Sequence, residues 1–481
     1  MKKSERIRKT GTSKHKCKRN CPNFKNDIKY ISIIEERTEG MDTKVIDERQ
    51  ISRFFQENNR KTFLKMIARY ENYIAPIMRA NGYTRINQKE RTVVFSFGEM
   101  TFSRSRWKKD GKIRIPVDEK LGLVPRARYS KELIYQLTEL ANFMPYRKVV
   151  TVVEELKQIY ITKNSVQRAL ETAGKLLAGK EDYRILALPE GKMDRIEPET
   201  LYIEGDGVWV KQTNTEQQSK SMELTHFVVH TGSQQGNRNT LTNKFEIVST
   251  QHKKAKEQLL DLIYNRFKIT PETVIITNSD GGLGYSPRFF KELIAGFRSK
   301  RHYHFWDPFH VNKILKMNLN GFPSELTTRA FQAIQHRSKK EMQTVLETAE
   351  SLIETDDKLE SFRRFKSQLL ENFSYTAKPE HKGLSSAGIG IVESQHRKIT
   401  YRMKNRGMYW SQQGADIMSQ TILLTYKGEL RDLFFGQWRT DYEKMQSLEE
   451  FTADYFMQES EKNYFFPVFS VSKRQRPRLN D

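Results

Sequence analysis

The chain has 481 residues, more than one ordinary domain holds, with 37% hydrophobic residues to fill cores and 30% charged residues to cover them. Its 83 Lys and Arg outnumber 59 Asp and Glu, and the resulting formal charge of +24 favours a polyanionic partner, because neutralising phosphates releases counterions. No apolar run is long enough to span a bilayer and none follows the basic N-terminus, which argues against a membrane helix and a secretory signal and predicts a cytoplasmic, nucleoid-associated protein.

Residues 1–27 read as a disordered basic arm carrying both cysteines, Cys17 and Cys21. His15 invites a zinc reading, but no fourth ligand follows at a standard spacing, and two free thiols are the simpler account. Residues 28–85 form a helical N-terminal segment, since Ile51, Phe54, Phe55, Phe63, Leu64, Ile67, Tyr70 and Ile74 recur at helical spacing in one or two helices. Across 86–128 the period changes. Val93, Phe95 and Phe97, then Met100 and Phe102, alternate with their neighbours as in a β-hairpin turning near Gly98. Its second strand runs into Arg104, Arg106, Lys108 and Lys109, an end suited to a phosphate backbone and equally to a solvated edge.

Residues 129–180 predict a helix-turn-helix-like DNA-binding region, two helices broken around Tyr160 to Thr162, with Thr162 as N-cap of the second. Ser165, Gln167, Arg168 and Glu171 would offer polar contacts from that helix if it entered a major groove; a plain helical hairpin is the alternative. From Leu201 the chain turns α/β. LYIEGDGVWV and TVIITNSDGGLGY are apolar strands that each end in an acid beside glycine, Asp206 and Asp280, with HFVVHTG as a further strand between them. The glycines would turn the chain and keep bulk away from a phosphate. Two carboxylates at the ends of neighbouring strands can share a divalent cation. An Asp-Gly after a strand is by itself commonly a turn, so a third ligand is needed.

From Asn312 to about Phe373 the pattern is helical throughout, with Leu315, Leu319, Phe331, Ile334, Met342, Val345, Leu346, Leu352, Leu359, Phe362 and Leu369 as core candidates. A small-residue loop from Gly383 then leads to Glu393 near the head of a helix. Arg397, Thr400, Tyr401 and Lys404 follow on the same face, an arrangement suited to DNA lying across an active site. Taken alone, an exposed Glu393–Arg397 pair is the plainer account of these residues. The tail, 441–481, ends in NYFFPVF, where Phe465, Phe466 and Phe469 read as core, and in SKRQRPR, a basic cluster that would help non-specific DNA binding.

Four stretches in this order, GDGVWVK, NSDGGLGY, HFWDPFHVNK and ESQHRKITYRMKNRGMYWS, resemble the DDE transposases of bacterial insertion sequences, specifically the ISLre-type family, which is similar to the wider Mutator-like group. The resemblance runs from about residue 85 to 440. It implies an α/β ribonuclease-H-like catalytic core (195–311), an all-α insertion (312–382) and core C-terminal helices with the catalytic Glu393 (383–440). A mainly helical DNA-binding region with a β-hairpin precedes them. Asp206 would lie on the first strand, Asp280 just after the fourth and Glu393 on a helix packed on the sheet. Asp307 and His310 match an Asp-x-x-His signature, implied to be a positioning element; a capping Asp with a hydrogen-bonded His is the alternative.

The implied reaction hydrolyses DNA at the element ends, after which the freed 3′-hydroxyl attacks target DNA. Two Mg²⁺ or Mn²⁺ ions held by carboxylates alone suit that chemistry, since hard cations prefer oxygen. The implied partners are double-stranded DNA, both ends and target, and further copies of the chain, at least a homo-dimer by symmetry. A nuclease or resolvase of branched DNA and a non-catalytic DNA-binding relative remain alternatives. No Walker A motif, dinucleotide fingerprint or Gly-x-Ser-x-Gly elbow occurs, so no nucleotide cofactor is expected.

Overall fold

One 33-residue helix, α1 (Glu48–Ala80), accounts for the first helical pattern, where one or two helices were expected. The computed structural model describes residues 47–186, 195–213, 221–234, 240–385, 388–404 and 406–446. The basic arm with His15, Cys17 and Cys21, and the tail with Phe465, Phe466 and Phe469, lie outside the described residues. The chain divides into two units after Tyr73, inside α1, and the second unit, from Ile74 onward, holds every element after that helix.

The alternating segment forms an antiparallel hairpin, β1 (Thr84–Phe95) and β2 (Gly98–Lys109), extended by β3 (Lys112–Arg114). It closes at the Phe95–Gly98 pair, where Gly98 takes φ +137°, a conformation only glycine adopts readily. Val93, Phe95, Met100, Phe102 and Trp107 are buried, whereas Phe97 at the turn is exposed. A short helix, α2 (Pro116–Lys120), follows.

Three helices come next: α3 (Lys131–Phe143), α4 (Tyr146–Lys157) and α5 (Lys163–Leu186). The break before α5 falls at the expected place. Thr162 and Ser165 cap it reciprocally, each hydroxyl accepting the other's backbone N–H at 3.4 Å. The apolar faces of these helices, Leu133, Leu137, Val149, Val153, Val166 and Leu170, share one core with Val208, Val210 and Leu224 of a central sheet.

The central sheet contains β4 (Thr200–Lys211), β5 (Ser221–His230), β8 (Phe245–Ser249), β9 (Val274–Ser279) and β10 (Arg301–Trp306); a small ribbon, β6 (Gly232–Gln234) and β7 (Thr240–Thr242), lies between β5 and β8 in sequence. The spatial order is β10-β9-β4-β5-β8, and β5 alone runs against the rest. Side chains alternate between the faces of a strand. Odd positions of β4, Leu201 and Ile203, pack with Phe227 and Ile275 against α6 (His252–Arg266) and α7 (Pro287–Ala295). Even positions, Tyr202 to Val210, face the other way.

After β10 come α8 (Pro308–Asn318), α9 (Ser324–Gln335), α10 (Lys339–Ser351) and α11 (Asp356–Glu371), the expected helical stretch, with Leu315, Leu319, Met342, Leu346, Phe362 and Leu369 in its core. Leu352 is a correction: it lies just beyond the last turn of α10 and is 51% exposed. Then come α12 (Val392–Met403), α13 (Gln412–Lys427) and α14 (Leu430–Phe435), and residues 438–446 are helical as well. Among the described residues no helix is long and apolar enough to cross a membrane.

Candidate metal centre

The register of the sheet aligns the acids. Parallel pairing between β4 and β9 ends at Gly205–Ser279, and that between β10 and β9 ends at Trp306–Ser279. Asp206, Asp280 and Asp307 are each the next residue, so the three acids come at one level of the sheet, Asp206 within β4 and Asp280 and Asp307 just past the ends of β9 and β10. The Asp307 N–H donates to Ser279 O at 2.9 Å, which holds that level together.

The surroundings of Asp206 differ from expectation in two ways. β4 does not stop at the acid, because β5 pairs with it as far as Lys211 and sets Asp206 opposite His226. The glycines beside it serve the opposite face: a Cβ on Gly205 would meet Phe227 and Tyr285 at 2.6–2.9 Å, and one on Gly207 would strike the Glu223 carboxylate. They admit core side chains, not a phosphate. At Asp280 the expected sharp turn is present. Gly281 takes φ +78°, and Asp280 Oδ1 accepts the Gly282 N–H at 2.8 Å.

Glu393 enters on the first turn of α12, which packs across the even face of β4. This helix has no side-chain N-cap of its own, for Ile391 stands at the cap position. The N–H of its first residue, Val392, and those of the two residues before it are taken instead by Glu204 of β4. Glu204 Oε1 accepts Gly390 N–H at 2.8 Å, and Oε2 accepts Ile391 N–H at 2.8 Å and Val392 N–H at 2.9 Å. Burial raises the Glu204 carboxyl to about 8 against the pull of those three donors. His230 of β5 holds the same loop, with Nε2 3.1 Å from Gly388 O and Nδ1 3.2 Å from Gly232 N. Burial depresses His230 to about 4, so the ring is neutral; Nδ1 also lies 3.1 Å from Gly232 O.

Folding thus brings Glu393 to Asp206, with His396 between them. Ligand atoms of Asp206, Glu393 and His396 all lie within 4.8 Å of one another, and His396 Nδ1 is 3.6 Å from both Asp206 Oδ2 and Glu393 Oε2. The Glu393 side chain is 63% exposed, while Asp206 and His396 are buried. Burial first, then the Asp280 charge, with Glu393 adding to it, pushes the Asp206 carboxyl up to about 7. Burial drives His396, stacked on His226 at 5.0 Å, down to about 3. It is a neutral imidazole able to offer a lone pair. Crowded carboxylates whose charge is resisted, beside a neutral imidazole, make a donor set that a Mg²⁺- or Mn²⁺-sized cation fits. The histidine adds a candidate donor to the carboxylates expected from the sequence. Its place three residues after Glu393 puts it on the same helical face.

Asp307 caps α8, accepting the Phe309 N–H at 2.7 Å. His310 Nδ1 stands 3.8 Å from Asp307 Oδ2, an ion-pair distance too long for a hydrogen bond. Asp307 first, then Asp206 and Asp280, raise the His310 imidazole against its burial. Both residues belong to the acid cluster.

The residues expected to touch DNA divide. Arg397, Tyr401 and Lys404 are exposed on α12 in line with Glu393, and the Arg406 guanidinium lies 4.4 Å over the Tyr401 ring. Among the described residues no ion pair joins Glu393 to Arg397. Lys108, Gln167 and Arg168 are exposed and Arg106 is half-buried; Gln167 donates to Glu171 at 3.1 Å. Two expectations need correction. Arg104 folds inward onto Asp118 at 2.9 Å, which Arg91 also grips at 2.7 Å. Ser165 is 5% exposed, its hydroxyl bonded to Tyr129 at 2.7 Å and Thr162 at 3.1 Å, so it faces the core and no base edge.

Among known proteins, a relative in Streptococcus gallolyticus, the UPF0236 protein in vanSb 3′region, is 32% identical over 359 residues, 74% of this chain and 76% of that protein. Two solved structures are similar at a low level. The Drosophila P element transposase strand transfer complex is 10% identical with a TM-score of 0.22, over 65% of this chain and 83% of that one. The simian T-cell lymphotropic virus intasome in complex with PP2A regulatory subunit B56 gamma is 15% identical with a TM-score of 0.15, over 36% and 50%. Scores this low carry no argument about fold or function. The family model of UPF0236, an uncharacterised protein family, matches residues 36–438, and together with the relative it shows that the chain belongs to that family.

Proposed function

We propose that the chain is a metal-dependent DNA transposase with Asp206, Asp280 and Glu393 as its catalytic acids. The observation that carries the reading is that Asp206 and Asp280 each follow the last paired residues of two parallel strands, with Glu393 delivered beside Asp206 from a helix far along the sequence. Support also comes from the sheet. Strand order 3-2-1-4-5 with only the second strand reversed is the arrangement of a ribonuclease-H-like core. Asp206 is then on the first strand, Asp280 after the fourth, and the helices α8–α11 form an insertion before Glu393.

Bound divalent cations would activate the attacking oxygen, neutralise the non-bridging oxygens and stabilise the leaving 3′ oxygen. Asp206, Asp280 and Glu393 would hold them, with His396 as a fourth donor. Asp206 would be the central ligand, since its carboxyl lies beside Glu393 and feels the charge of Asp280. Arg397, Tyr401 and Lys404 continue from Glu393 along α12 and would seat the phosphate backbone over the acids. His310, its proton affinity raised by three carboxylates, can hold a proton at the edge of the centre. Water first cleaves the phosphodiester at an element end, releasing a 3′-hydroxyl. That hydroxyl then displaces a 3′ oxygen in target DNA, one bond forming as one breaks. Both ends are handled by at least two copies of the chain.

The test is incubation with linear DNA carrying element ends, a supercoiled target and Mg²⁺. A transposase joins ends to target; cut ends alone would indicate a nuclease or resolvase, and DNA bound but neither cut nor joined with Mg²⁺ present would indicate a non-catalytic relative.

A further inference from the structure

We infer that Glu204 is the positioning residue of the metal centre, fixing Glu393 relative to Asp206 by capping α12 from the strand that carries Asp206. The inference rests on reading Asp206, Asp280 and Glu393 as that centre. The first N–H groups of a helix have no partner within it, and a nearby Ser, Thr, Asp or Asn ordinarily supplies one. The residues leading into α12, Gly388 to Ile391, supply none. Instead the N–H of Val392, its first residue, and those of Ile391 and Gly390 just before it converge on one buried carboxylate, at 2.9, 2.8 and 2.8 Å.

That carboxylate is two residues from Asp206, on the same face of β4. Glu393 is one residue beyond the last capped amide. The path from one acid to the other therefore runs through a short stretch of strand, three hydrogen bonds and one peptide unit. Neighbouring groups fasten the same loop. His230 bonds Gly388 O at 3.1 Å while stacked on Tyr202 at 4.7 Å. Asn278, paired with Glu204 across the strands, is 1% exposed and makes no side-chain hydrogen bond of its own. A polar pocket this closed is costly unless it sets geometry. Here it fixes the entry to a helix that Lys398, bonded to Glu246 of β8 at 2.6 Å, fastens to the sheet one turn further on.

The experiment compares the full-length wild type with Glu204→Gln, using Mn²⁺ alone as probe, read by its electron paramagnetic resonance, together with residue-level hydrogen exchange. The amide side chain keeps the shape of the acid but puts an NH₂ where an acceptor is needed. In the folded variant Mn²⁺ affinity falls at least tenfold, as for lost outer-sphere support of a ligand. Exchange rises in 388–396 and not in β5 or the helical insertion, and binding recovers at high Mn²⁺. Mn²⁺ bound equally by both proteins, with unchanged exchange, overturns the inference alone; a wild type that binds no Mn²⁺ overturns the metal-centre reading and this inference with it. Should the variant not fold, the wild type still decides. Protected amides at Ile391 and Val392 support the cap, and exchange at the rate of an exposed loop refutes it.

Discussion

The helical insertion and the acid-bearing face of the sheet, only a residue apart at the Asp307–Pro308 junction, are built on opposite principles. The insertion buries Leu315, Ala330, Met342, Leu346 and Phe362, side chains that need nothing but each other. The sheet face buries Glu204, Asp206, Asn278, His226 and His396, groups that each cost free energy to desolvate. The insertion is stable for its own sake. The sheet face is held by the rest of the fold in an arrangement that a cation would relieve, and that contrast separates scaffold from site. Asp206, raised to about 7, is the clearest sign of the strain.

Breaking the contrast at the acids gives the largest effect. Asp206→Ala, Asp280→Ala or Glu393→Gln lowers end cleavage by about 10³-fold or more, while DNA affinity in a gel-shift assay changes by less than about threefold. Normal cleavage by any one of them removes that residue from the set. On the other side, Leu346→Ala in the fully buried core of α10 destabilises by about 2–5 kcal/mol in denaturant unfolding. Mn²⁺ affinity of its folded form stays unchanged. A large loss of affinity would show that the two regions are not separable.

The third prediction is a pH dependence. The folded state holds a proton on Asp206 that the unfolded chain gives up in the ordinary carboxylate range. Apo stability is therefore greatest at low pH and falls as pH rises through about 7. Asp206→Asn flattens the fall measured by thermal unfolding in EDTA. Mn²⁺ binding expels the same proton, so affinity rises about tenfold per pH unit up to about 7 and then levels. A flat profile contradicts the assignment. The smallest effects belong to the outer face of α12: Arg397→Ala and Lys404→Ala each weaken DNA binding a few fold and reduce the salt slope by about one.

How much of this was readable depended on whether a residue's role was local. The hairpin at Gly98, the break before α5 and the helical stretch after Asn312 follow from periodicity and turn chemistry, which act over a few residues. The strands before Asp206 and Asp280 were readable for the same reason. Glu204 was not, because its three donors lie far along the chain and its own neighbours suggest only a strand. His396 looked like one polar residue among ESQHRK until packing turned it inward. Arg104 and Ser165 failed for the converse reason: both types suit a DNA surface, and only tertiary partners, Asp118 and Tyr129, draw them away from it.

The most direct test of the central claim is a crystal of the full chain soaked in Mn²⁺ and measured for anomalous scattering. The account predicts density within about 2.5 Å of carboxylate oxygens from both Asp206 and Asp280, with Glu393 reaching the same cluster. Mn²⁺ absent from these acids, or Asp280 and Glu393 left out of reach of an ion on Asp206, would contradict it.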